Sequence, residues 1–269
     1  MLGMTVLQAL LMIGVPVVAG IIAVRRGCPW KLLALGALTF VLSQLVHLPM
    51  NAGLGALFGP AGTFPVTGSA ALPFQALVAG FTAGLCEEWA RYFILRRALR
   101  KTPPDAKQGI AHGIGHGGIE SVFVGTLAVV TLINMIALRD VETLPNVPPE
   151  QMDLIRAQVD TFWSQPPALA LVGVAERLMT MVIHLALSLL VFRAVATKQL
   201  RLVWIAMAWH WLVDTSAVLG VATFGPEGIL WVEGIIALHA ITAAWIIRRE
   251  LRARAATENA ANENASNAS

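Results

Sequence analysis

Charge is what this sequence has least of. Only 13% of its 269 residues are Asp, Glu, Lys or Arg, whereas 57% are hydrophobic and the mean hydropathy is +0.69. A soluble chain carries about a quarter charged residues. Nineteen basic and sixteen acidic side chains cannot coat a globule of 28.7 kDa. The shortage excludes an ordinary cytoplasmic enzyme and a disordered protein. Cysteine is nearly missing too: Cys28 and Cys86 fall in different parts of the sequence, which speaks against a disulfide framework or a CxxC metal site. No internal repeat, Gly-rich phosphate loop or separate soluble domain is recognisable. A cleavable leader is not expected either, because Met1 to Arg26 places its apolar stretch before its charges, the reverse of a signal sequence.

What the chain does have is long apolar runs. Seven stand out, at roughly 4–24, 31–50, 71–95, 113–138, 167–193, 201–222 and 229–247, each near the 20 residues that cross a bilayer as a helix. The expected fold class is therefore all-α, a polytopic transmembrane bundle of seven or eight spans. Residues 1–254 form one membrane domain, and 255–269 (AATENAANENASNAS) form a disordered cytosolic tail. The uncharged segment 51–70 reads as a flexible or re-entrant loop. Residues 139–165 are acidic and proline-punctuated, with a short helix across about 150–163.

The net charge of +3 is decided by its distribution. Arg25, Arg26 and Lys31, then Arg96 to Lys107, then Arg193 to Arg201, then Arg248 to Arg254 all cluster on one side of the predicted spans. Only Arg139 and Arg156 fall on the other side. By the positive-inside rule the N-terminus lies outside and the C-terminus in the cytosol. Bases placed this way are topology signals, so the partner is a lipid bilayer and no nucleic acid is expected. The location is a plasma membrane, the inner one in a bacterial cell.

Against that background the charges within spans are conspicuous. The third span holds Glu87, Glu88 and Arg91, the fourth His116 and Glu120, the fifth Glu176, Arg177 and His184, and the sixth His210 and Asp214. A charged group at membrane depth costs about 2.5–3.5 kcal/mol on insertion scales unless it is paired or hydrated. Glu87 with Arg91, His116 with Glu120, and His210 with Asp214 are four apart, hence on one helix face. His112 extends the fourth-span stripe by a turn, and Ser188 sits four after His184. Counted from the basic ends at 1.5 Å per residue, Glu87, His184 and His210 all lie roughly 12–13 Å deep. Independent helices thus bring acid and imidazole to one layer.

Two hydrolytic chemistries suit such a layer. A carboxylate can act as general base on water while histidines polarise a carbonyl and stabilise the oxyanion. Alternatively, a set drawn from His116, Glu120, His184 and His210 can hold Zn²⁺ with an open water position. The residues leave this choice open, and water is expected to arrive from the cytosolic side.

The string Glu87-Glu88-Trp89-Ala90-Arg91-Tyr92 resembles the Glu-Glu motif of the CAAX-protease and bacteriocin-processing superfamily of intramembrane proteases, and His210-x-x-x-Asp214 resembles its His-x-x-x-Asn motif. The run Gly115-His116-Gly117-Gly118-Ile119-Glu120 is similar to the YhfC family, a branch related to it. The likeness covers the third span through the sixth. It implies an intramembrane endopeptidase acting on a membrane-embedded or lipid-linked peptide, with Glu87 as the water-activating base, supported by Glu88 and Arg91. It also implies that His116, His184 and His210 assist the oxyanion, and that Asp214 stands where the superfamily has Asn. Arg91 comes one residue earlier than in the superfamily's spacing, and Asp214 replaces a neutral donor with an acid. The latter favours a ligand or His-orienting role for Asp214.

Blander roles remain for several residues. Glu87 and Glu88 could pair structurally with Arg91 and Arg96, Glu176 could pair with Arg177, and His112 is shallow enough to be solvated. His47 and His239 are expected to carry no chemistry. Two rival functions use similar residues: a proton-coupled transporter, which more often shows repeated halves, and an inactive scaffold or receptor of the same fold.

Overall fold

Hydrophobic segments this long must satisfy every backbone N–H and C=O within themselves, which in lipid leaves the helix as the solution. The computed structural model describes residues 1–145, 147–225 and 228–267, and they contain helices but no strand. The helices are α1 (Leu2–Arg25), α2 (Trp30–Phe58), α3 (Ala71–Ala98, preceded by a 3-10 turn at Gly68–Ala70), α4 (Ala106–Ala137), α5 (Pro149–Ser164), α6 (Leu169–Thr197), α7 (Arg201–Phe224) and α8 (Ile229–Asn267). All except α5 are long and apolar enough to span a membrane, giving the seven expected spans. Successive spans alternate in direction. One end of the bundle therefore gathers the basic clusters, and the opposite end carries α5.

Two boundaries differ from the sequence reading. α2 continues through Pro49 and Asn51 to Phe58, so only 59–67 remains of the expected loop. α4 starts at Ala106, where Asp105 and Gln108 form a capping box. Its first two turns therefore lie inside the bundle, and His112 is buried rather than solvated. The backbone of α8 stays helical through the Ala/Asn/Glu-rich stretch as far as Asn267, where alanine and glutamate favour helix. Ala268 and Ser269 of the expected tail lie outside the described residues.

The bundle is apolar outside and polar within. Leu10, Leu45, Leu238 and Trp245 are exposed, whereas Glu88, Arg91, His112 and His116 are fully buried. α4 lies against α1, α2 and α6, while α3 lies against α7, α2 and α6. Close approach at two helix pairs rests on glycine. A Cβ on Gly115 would stand 1.9 Å from the Leu33 carbonyl oxygen, and one on Gly36 would stand 2.0 Å from that of His112. α2 and α4 thus meet backbone to backbone, the small-residue packing that membrane helices use in place of a hydrophobic drive. On the next face of α4, Gly117 admits the Cβ of His184 from α6. The glycine run is what draws three helices around His116.

Candidate active site

Helix register builds the centre. α3 presents Glu87, Glu88 and Arg91 within little more than one turn, and all three face inward. Glu87 Oε2 lies 2.9 Å from His116 Nε2 of α4, and its Oε1 accepts from Gln44 Nε2 of α2 at 3.2 Å. Arg91 donates to Glu88 through Nη1, and its Nη2 reaches Glu87 at 3.5 Å and His184 Nδ1 of α6 at 2.7 Å. An arginine cannot accept a hydrogen bond. Nδ1 of His184 is therefore the acceptor, and the ring proton sits on Nε2, 2.5 Å from Glu120 Oε2. His210 of α7 sets its Nδ1 2.7 Å from Glu88 Oε1 and turns Nε2 towards Glu87 (3.9 Å) and Asp214 (3.5 Å).

The three imidazoles form a file, with ring centres 5.3 Å apart from His116 to His184 and again from His184 to His210. Four helices thus converge on one Glu/His cluster, and Arg91 is the cation that lets two adjacent carboxylates be buried together.

All eight sequence-predicted residues lie in or beside this cluster, though not always with the partner their spacing implied. His116 turns to Glu87 on α3, while Glu120, one turn along α4, turns to His184 and to Arg177 at 3.0 Å. Arg177 also binds Glu176, so the pair read as separate is joined to the site. Ser188 faces His112 at 3.4 Å rather than His184, and Arg96 reaches the Tyr92 hydroxyl rather than a carboxylate.

Sequence reasoning missed two groups. His112 is fully buried, with Nε2 3.1 Å from Thr39 Oγ1, whose own hydrogen is given to the Leu35 carbonyl. His47, read as bland, belongs to a chain that ends on Glu87. Gln44 Oε1 meets His47 Nδ1 at 3.1 Å, and His47 Nε2 meets Asn51 Nδ2 at 2.8 Å. Thr82 donates to Asn51 Oδ1 at 2.7 Å. The signal was present in α2 as Gln44, His47 and Asn51, a three-four stripe on an otherwise apolar helix.

A donor set for a metal exists at the centre. One ligand atom each from Glu87, His116 and His184 lies within 4.8 Å of the others, and all three residues are buried. Two imidazoles and one carboxylate are the ligand types of catalytic zinc sites, whose further position is taken by water. Nδ1 of His116 is buried without a hydrogen-bond partner among the described residues. The donor types and spacing therefore fit a zinc ion, provided Arg91 gives up Nδ1 of His184. Of the ligands expected from sequence, His116 and His184 belong to this trio. Glu87 takes the third place, with Glu120 and His210 beside it.

Comparison with known proteins agrees with this geometry. Residues 9–238 match the model of the YhfC intramembrane metalloprotease family, and the chain belongs to that family. The uncharacterised membrane protein YhfC of Bacillus subtilis (strain 168) is 28% identical over 178 residues, which is 62% of this chain and 65% of that protein. The chain thus matches just under two thirds of that relative's length. No solved structure gives a significant match. The protein is a multi-pass membrane protein.

Proposed function

We propose, with membership of this family as the premise, that the protein is an endopeptidase that hydrolyses a peptide bond in a membrane-embedded or lipid-linked substrate. The observation that carries the proposal is the convergence of Glu87, His116 and His184 in the bundle interior. A buried constellation of this kind, costly in lipid, is a functional site by default. Its position among seven apolar spans suits a membrane segment better than a folded soluble protein.

Glu87, His116 and His184 would hold a zinc ion, which when bound supplies Lewis-acid polarisation of the scissile carbonyl and acidifies water. The chain's own groups do the rest. Glu88, tied to Arg91, accepts Nδ1–H of His210 and so fixes that ring, as a carboxylate fixes the imidazole of a hydrolytic triad. Nε2 of His210, facing Glu87 and Asp214, is thereby left to exchange a proton with the attacking water and the leaving amine. Glu120 Oε2 stands 2.5 Å from Nε2 of His184, the kind of outer carboxylate contact that orients a ligating imidazole, and Arg91 would release Nδ1 of that ring for it to hold a metal.

One observation favours a metal-free variant of the same reading. Arg91 occupies Nδ1 of His184, and Glu87 is then the water-activating base with the imidazoles polarising the carbonyl. Metal analysis separates the two: about one zinc per purified chain, lost in His116→Ala, supports the trio as ligands. Absence of zinc from a preparation that still cleaves supports Glu87 acting alone. The activity itself is tested with purified protein in nanodiscs and a mixed library of transmembrane peptides. Products must form with the wild type and not with Glu87→Gln. A wild type that cleaves none of the library counts against the proposal.

A further inference from the structure

Hydrolysis inside a membrane needs water, and the two ends of the bundle differ in how they could supply it. Towards the basic end every helix of the site is plugged. Beyond Arg91 comes Leu95, beyond His184 come Leu187 and Val191, and before His210 come Val203 and Ala206. All five are fully or almost fully buried in one apolar core. On α4 the residue facing that way is His112, itself sealed between Thr39 and Ser188.

Towards the α5 end three of these helices, α4, α6 and α7, continue in polar residues. His116 is followed by Glu120 and His210 by Asp214, while His184 is preceded by Arg177 and Glu176. Exposure rises along this direction. The side chains of Glu87, His116, His184 and His210 are 0–7% accessible, those of Glu120 and Arg177 are 17% and 16%, and those of Asp214 and Glu176 are 34% and 33%. The contacts are continuous: His184 meets Glu120, Glu120 meets Arg177, and Arg177 meets Glu176. Glu176 in turn lines a cavity of about 250 Å³ between α1, α5, α6 and α8, together with Gln8, Gln165, Gly173 and Glu233. That space is ample for several waters at about 30 Å³ each. Glu233 Oε2 has no partner among the described residues, an acceptor that a water in the cavity would satisfy.

We propose that water reaches the catalytic cluster from the α5 end, through this cavity and past Arg177, whose guanidinium bridges Glu176 and Glu120 at the throat of the path. The inference rests on the endopeptidase reading for its purpose but not for its geometry. It reverses the expectation of cytosolic access. With the orientation that the basic clusters predict, the α5 end is the outer face. An arginine held by two carboxylates can swing with either of them, which gives the path a polar gate in place of an apolar one.

The test uses the full chain in oriented membrane vesicles, with Cys28 and Cys86 replaced by serine and single cysteines introduced as Glu176→Cys, Glu233→Cys, Leu95→Cys and Val191→Cys. A small, permanently charged methanethiosulfonate reagent is added to one face at a time, and modification is read by mass. The Glu176→Cys and Glu233→Cys thiols should react at least ten times faster from the α5 face than from the basic face, and the Leu95→Cys and Val191→Cys thiols from neither. Equal or reversed rates, or reaction of Leu95→Cys from the basic face, overturn the proposal. Because a substitution could disturb folding, wild-type protein in nanodiscs is also treated with a water-soluble carbodiimide and an amine. Glu176 and Glu233 should be modified and Glu88 spared, and protection of both outer glutamates overturns the proposal. Neither readout needs proteolysis, so failure here leaves the endopeptidase reading standing, and failure of that reading leaves the path standing.

Discussion

Glu87 and Glu88 are neighbours in sequence, yet their surroundings give them different work. Glu88 accepts from both Arg91 and His210 and is fully enclosed, whereas Glu87 faces His116, His210 and Gln44 at the centre of the cluster. Removing the cation that both share should be structural in effect. Arg91→Ala leaves two buried carboxylates uncompensated, and breaking a buried pair in this way costs about 3–5 kcal/mol. Thermal unfolding in detergent should show a large fall in Tm for Arg91→Ala. Glu87→Gln preserves shape and the contact with Gln44, so its Tm should stay close to the wild type. Its cleavage rate should fall by at least roughly 10², the low end for a lost acid–base group, whether Glu87 holds the metal or activates water itself. If Glu87→Gln instead melts early and Arg91→Ala does not, the roles assigned to these residues are wrong.

The residues of the cluster were legible in the sequence because burying charge in lipid is expensive and four-residue spacing marks a helix face. Their partners were less so. His116 and Glu120 share a face of α4, but each lies level with a different neighbouring helix, so one meets Glu87 and the other His184 and Arg177. Pairing across helices depends on packing angle and level, which local spacing does not encode. His47 and His112 were passed over for the same reason, since each gains its meaning only from the helix opposite.

At the scale of elements, hydropathy is a local quantity and located all seven spans. The ends were harder to place, because Asn51 and the glycines after it read as loop. In a bundle interior neighbouring groups satisfy a helix that carries such residues, and α2 runs on to Phe58 with Asn51 bonded to His47 and Thr82. The glycines of α4 were read as part of a motif, and their mechanical role appears only with α2 in place. Gly115→Ala and Gly36→Ala should each force α2 from α4, because the added methyl would overlap a backbone carbonyl. Overpacking of this kind costs about 1–3 kcal/mol, and the separation moves His116 away from Glu87. Gly14→Ala, with nothing within 4 Å of the new methyl, should be neutral or slightly stabilising. Melting temperatures of the three variants side by side check this, and equal effects would contradict it.

As a whole, the molecule is a bundle with an apolar exterior, a plugged basic end and a more polar opposite end. Its orientation is the simplest global prediction. In the cysteine-free background, Lys101→Cys should react with an impermeant maleimide only from the cytosolic face of vesicles, and Asp153→Cys on α5 only from the opposite face. Labelling of both from one side would contradict the alternation of the spans. The proposed function asks for more than topology. Its most direct measurement is a comparison of peptide termini in the membranes of cells carrying the wild type or Glu87→Gln, at matched expression and with folding checked by melting. The account predicts a set of new termini, within or beside transmembrane segments of other proteins, that is present with the wild type and gone with the variant. Identical termini from two folded, equally abundant proteins would contradict it, and would return the Glu/His cluster to transport or to a scaffold.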